Sequence, residues 1–233
     1  MANEIEKVNA IAVADIQAII GKTDDNMEKL MGKEFTGVTD GMVLIQEQTA
    51  SNAASLTFAT GIDDTYDMFM FQFVNIHAHT GDSSSSNFTF QVNDTGTTGY
   101  DDWNLHSSFA AAFHDEDDSG AGHGYDDNRD SPTDPGASLT TDYVILQSYQ
   151  GTEADEACSG EMYVFNLSDD SYSKPWHSIM TTNAHYDATY TAETRGVIAY
   201  KSGGASTPID DFNFKISTGN MSGTIRLWGW VIA

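Results

Sequence analysis

The chain has 233 residues, with 10 Lys+Arg against 35 Asp+Glu and a formal net charge of -25 at pH 7. A surface this acidic repels nucleic acid and anionic membranes, which are bound through clustered cations, so both are excluded as partners. A 39% apolar fraction with 11% aromatics supplies a packed core, and the single Cys158 rules out an internal disulfide or a multi-cysteine zinc site.

Residues 1–34 read as a docking arm rather than a domain. Three blocks offset by eleven positions, Ile5–Ala10, Ile16–Gly21 and Met27–Gly32, each begin with an apolar residue and repeat one at the fourth position. That spacing predicts short helical turns, with Asp25 placed to cap the third. Turns this short cannot shelter their own side chains. Ile5, Val8, Ile16, Ile19, Ile20, Met27, Leu30 and Met31 are therefore expected to bury themselves against a partner. The start is acidic, without the cationic and apolar regions of a secretory signal, and no stretch is apolar enough to span a membrane.

From residue 35 to 233 the pattern changes to an all-β body. The expected strands, in chain order, are Met42–Gln46, Ala54–Phe58, Tyr66–Ile76, Phe88–Val92, Phe109–His114, Tyr143–Ser148, Met162–Leu167, Trp176–Thr181, Thr194–Tyr200, Phe212–Ile216 and Thr224–Ile232. In two of them Phe88, Phe90 and Val92, and Phe212, Phe214 and Ile216, alternate with polar residues, the period of a half-buried strand. Tyr66–Ile76 is apolar on both faces, with Phe69, Phe71 and Phe73 opposite Met68, Met70, Val74 and Ile76, so it is expected to be covered on both sides. Ser168–Ser171 is a turn-rich hairpin link. So many short strands predict an antiparallel two-sheet sandwich, with the jelly roll the favoured topology.

Residues 115–136 read as a long acidic loop, with eight Asp/Glu, one Arg, four Gly and two Pro. Within it Asp115, Asp117, Ser119 and Asp126 fall at oxygen-ligand positions of a twelve-residue calcium loop, with Gly120 at the sharp turn. Against that reading, the flanks are not helical, Asp126 is shorter than the usual Glu, and acidic loops are commonly just solvated. No nucleophile elbow, paired-acid motif or phosphate-binding loop is present, so the chain is expected to be non-enzymatic, with no catalytic residues and no cofactor apart from that calcium. Tyr172, Trp176, Trp228 and Trp230 are candidates for a sugar-stacking platform, with core or interface packing as the alternative. Trp228 and Trp230 share a strand face with Arg226.

Three features resemble virion structural proteins of tailed bacteriophages, especially those of marine cyanobacteria. They are the N-terminal tandem opening on Ile5-Glu6-Lys7-Val8-Asn9-Ala10, the stretch Thr65–His77 followed by Asn87–Asn93, and the ending Phe212–Gly229. The resemblance implies a surface component of the particle, either a capsid-decoration (cement) protein or an appendage or tail-fibre subunit. It would be anchored by its N-terminus to capsid or tail proteins, assembled in the host cytoplasm and displayed on the virion. Packing with symmetry mates is expected, trimers above all. The rival reading is a host-glycan-binding module of a tail fibre or spike.

Overall fold

The computed structural model describes residues 41–79, 86–94, 99–125, 142–184, 188–201 and 207–231, with four two-residue strands ahead of them. Two units emerge, one formed by Met1–Gly41 with Ala233 and one by Met42–Ile232. In the first, β1 (Lys7–Val8) pairs with β2 (Ile11–Ala12), and β3 (Lys29–Leu30) pairs with β4 (Lys33–Glu34), both antiparallel. The helical turns expected around Val8 and Leu30 are thus extended pairs. A single helical turn does not repay its nucleation cost, and β-branched residues such as Val8 and Ile11 favour extended backbone. Ile5, Ile16, Ile19, Ile20, Met27 and Met31 lie outside the described residues.

The second unit is a jelly roll. Its strands are β5 (Gly41–Ala53), β6 (Leu56–Phe58), β7 (Met68–Ala78), β8 (Ser86–Asn93), β9 (Trp103–Asp115), β10 (Ala121–Tyr125), β11 (Val144–Gln150), β12 (Cys158–Phe165), β13 (Lys174–Ala184), β14 (Ala188–Lys201), β15 (Asp211–Ile216) and β16 (Met221–Val231). Eight of them wrap in nested pairs, first with last: β5 with β16, β6 with β15, β7 with β12 and β8 with β11. Two further pairings, β16 with β7 and β15 with β8, join these into two sheets, and that nesting defines the jelly-roll topology. The hairpins β9–β10 and β13–β14 are insertions that widen one sheet. The result is an eight-stranded sheet ordered β10-β9-β14-β13-β12-β7-β16-β5 facing a four-stranded sheet ordered β11-β8-β15-β6.

Phenylalanines fill the space between the sheets. Phe71 of the large sheet lies 4.8 Å from Phe212 and 4.9 Å from Phe214, and Phe73 lies 5.1 Å from Phe88, ring centre to ring centre. All five are fully buried. Tilted and edge-on contacts of this kind add to the area term that drives folding. Trp176 of β13 meets Phe90 edge-on at 4.9 Å. It can do so because Gly196 on the neighbouring strand has no side chain, since a Cβ there would sit 2.7 Å from the indole ring.

All eleven expected strands are present, most of them longer than their apolar cores. In this unit one strand was not expected: β10 lies inside the stretch read as acidic loop and pairs with β9 from Ala121↔His114 to Tyr125↔Ala110. Two face assignments also change. Ile76 turns inward and is fully buried, because Asn75, at φ 53°, inserts a bulge that shifts the alternation by one residue. The polar residues of β8, expected to face solvent, are buried: Thr89, Gln91 and Asn93 are at most 3% exposed. Among the described residues there is no α-helix, only a 3-10 turn at Ala154–Glu156.

Candidate interaction face

Strand register assembles the outer face of the eight-stranded sheet from residues far apart in sequence. One row runs Trp228↔Met70↔Tyr163↔His177↔Arg195, and the next runs Trp230↔Met68↔Phe165. The inward alternation of Ile225 and Leu227 is what sends Arg226, Trp228 and Trp230 outward together. Part-way along β5 the alternation steps at Ile45 and Gln46. Ile45 packs on the core, whereas Met42 and Leu44 face out, on the side where Glu47 and Thr49 meet Arg226 and Thr224. Met42, Leu44 and Trp230 are 43%, 45% and 40% exposed. Met70 in the middle of the patch is buried by its own neighbours, and the Trp228 indole N–H is shielded from solvent with no acceptor. The Tyr163 and His177 rings stack at 5.1 Å.

Charge on this face is confined to Arg226 with Glu47, Glu161 beside Tyr163, and Arg195 with Glu193. Glu47 is held by Arg226, which also donates to the Gln72 side chain at 3.3 Å. Glu161 borders an open groove of about 480 Å³ lined by Gln72, Phe73, Val74, Ser159, Gly160, Ile179 and Thr181. Burial, followed by the Glu161 charge, pushes the Tyr163 phenol up. In a chain with 35 acidic residues, an apolar strip whose carboxylates are Glu47, paired with Arg226, and Glu161 at its border stands out from its surroundings.

The other expected site residues fall elsewhere. Tyr172 lies on the β12–β13 turn and is 69% exposed, while Trp176 is 2% exposed in the core. Trp176 therefore cannot serve a sugar platform, and Tyr172 belongs to a turn where Asp169 accepts from the Ser171 and Tyr172 amides. Those two amides hold the Asp169 carboxyl below the usual range.

β10 occupies positions seven to eleven of the stretch read as a calcium loop. Ahead of it lies a tight hairpin turn closed by the Asp115 amide to Gly120 O at 2.8 Å. Asp117 accepts from the Ser119 amide at 2.9 Å, and the Ser119 hydroxyl donates to Asp115 at 3.1 Å. Ser119 keeps the Asp117 carboxyl low. Asp126 lies outside the described residues, among which no cluster of three metal-ligating side chains occurs. His77 and His79 are engaged separately, with Asn75 O at 2.9 Å and Ser222 Oγ at 3.2 Å. Burial pushes the Cys158 thiol far above its ordinary range, which makes it unreactive.

One polar network was not foreseen, on the outer face of the small sheet. Tyr100 donates to Asp211 at 2.7 Å, Tyr143 donates to Asn213 at 2.8 Å, and Asn213 donates to Thr57 at 2.7 Å. Lys215 Nζ lies 3.8 Å from the Tyr143 ring centre. Desolvation raises the Asp211 carboxyl and pushes the Tyr143 phenol up to about 12. Each named hydroxyl and amide is spent on a neighbour in the network. The cluster covers Asp211 and Asn213, on the polar side of β15.

The fold therefore defines the chain as an acidic jelly-roll β-sandwich with two hairpin insertions. Compared with protein-family models, curated proteins and solved structures, the chain matches none.

Proposed function

We propose that this chain is a non-enzymatic structural subunit of a tailed-bacteriophage particle. Residues 1–34 anchor it to a capsid or tail protein, and the jelly roll is displayed on the virion surface as a decoration protein or appendage subunit, after assembly in the host cytoplasm. The observation that carries this reading is the acid-poor apolar outer face on a body that is otherwise heavily acidic. Such a face is costly to leave in water and marks protein–protein contact. The resemblance of the leading tandem and of the Phe212–Gly229 ending to virion proteins supports the setting, and so does the absence of any catalytic motif in the sequence.

Deletion of residues 1–34 tests the anchor. The truncated body is expected to fold, with an unchanged β-type circular dichroism spectrum, and to be missing from purified particles. Incorporation at the full-length level would overturn the assignment.

A second reading, a host-glycan-binding module, is favoured by one observation: Trp228 and Trp230 share the outer face with the stacked Tyr163 and His177 rings. Glycan arrays test it through Trp230→Ala, which should abolish any signal the full chain gives. An array blank for the full chain counts against it.

A further inference from the structure

Each sheet has two edges, formed by β5 and β10 in the large sheet and by β6 and β11 in the small one. Three of these are blunted in the ways that keep natural sheets from pairing edge to edge. β6 has three residues. β10 has five, two of them Gly. β11 is broken by two register shifts and by Tyr149 at φ 60°. β5 is different. It runs for 13 residues, has its one non-Gly residue at positive φ, Asn52 at 61°, next to its end, contains neither Pro nor Lys, and its one charge, Glu47, is neutralised by Arg226. Among the described residues no strand pairs its second edge. The exposed Met42 and Leu44 lie along it, with Trp228 and Trp230 on the adjoining strand.

From this we infer that a second copy of the chain docks along β5, antiparallel and edge to edge, so that the eight-stranded sheet and its apolar strip continue from one copy into the other. Charge selects the occupant. A cationic partner is drawn to the acidic surface that makes up most of this molecule, whereas a neutral apolar strip beside open backbone groups matches a surface of the same kind. A two-fold axis supplies one from the chain itself. Two bodies of charge -25 repel through nearly every other approach. Charge also selects the register. Centring the pairing on Glu47 would oppose two carboxylates, while centring it on Leu44 sets Leu44 against Leu44 and Glu47 against Gly41. The assembly is then a dimer, not the threefold one expected for the class. It is a property of the free chain, so it stands or falls independently of particle incorporation.

Sedimentation velocity of the full chain, over about 1–100 µM and in low and high salt, tests this. A monomer–dimer equilibrium is expected that shifts toward dimer as salt screens the net repulsion. Leu44→Lys should weaken dimerisation by about tenfold or more, and Ile179→Lys, on the same face but four strands away, should leave it unchanged. Amide hydrogen exchange gives a readout without mutation, since β5 amides should gain protection as concentration rises. A chain that stays monomeric throughout, a trimer as the smallest assembly, or a dimer indifferent to Leu44→Lys would overturn the inference.

Discussion

The two faces of the eight-stranded sheet are built from the same strands and the same residue classes, yet only one is a core. Phe69, Phe71 and Phe73 of β7 point inward, where the four-stranded sheet covers them, and all are essentially inaccessible to solvent. Met68, Met70 and Val74 of that strand point outward beside Trp228 and Trp230, where only lateral neighbours shelter them. Among the described residues of the second unit no further layer lies over that side. Apolar content alone therefore does not define a core, because a covering layer is also required. An apolar face without one is the part of the molecule whose partner is still to be accounted for.

Substitutions on the two faces should separate sharply. The largest effect is expected from Phe214→Ala, which empties the centre of the aromatic cluster and should cost about 3–5 kcal/mol in denaturant unfolding. A loss below about 1 kcal/mol would mean that the sheets are not packed as described. Gly196→Ala comes next. Its new methyl group meets the Trp176 ring and the His106 carbonyl, so overpacking should cost about 1–3 kcal/mol. Trp230→Ala, on the open face, should change the stability of the isolated chain by less than about 1 kcal/mol, since much of that ring is already in water. A core-sized loss there would show that the outer face is covered within the subunit and would erase the contrast.

The smallest effect sharpens the comparison with a third kind of surface, the tyrosine-capped polar face of the small sheet. Desolvation holds the Asp211 carboxyl above its unfolded value, so the native state binds that proton more readily than the unfolded chain does. The stabilising contribution is full below the unfolded pKa and is lost as pH rises through the folded one. Asp211→Asn removes this slope while keeping an acceptor for Tyr100. Between pH 7 and pH 4, the wild-type melting temperature should rise relative to that of the variant, by an amount equivalent to less than about 1 kcal/mol. The reverse trend would mean that the Tyr100 hydrogen bond outweighs desolvation.

The class of fold is legible in the sequence because alternating phenylalanines fix both the strand and its buried side. Which strands pair is not, since the nested order depends on contacts between residues as distant as β5 and β16. β10 escapes notice because an edge strand of small and polar residues buries too little to show an alternation. Ile76 lies on the opposite side from the one its period predicts, and Trp176 takes the core alternative rather than the sugar platform, for related reasons. A bulge at Asn75 resets the period without a sequence signal, and nothing in an aromatic residue says which face its neighbours will cover. The apolar strip on the outer face was legible only in part. Trp228 and Trp230 declare a shared face, but Met70, Tyr163 and Leu44 join them through pairings between separate stretches of chain.

The proposed place of this chain in a larger particle is tested most directly by locating it there, by quantitative mass spectrometry and cryo-EM reconstruction of purified virions. The account predicts a fixed copy number, jelly-roll density on the outside, and residues 1–34 in contact with a capsid or tail protein. A chain found in infected-cell lysate but absent from purified particles would contradict it.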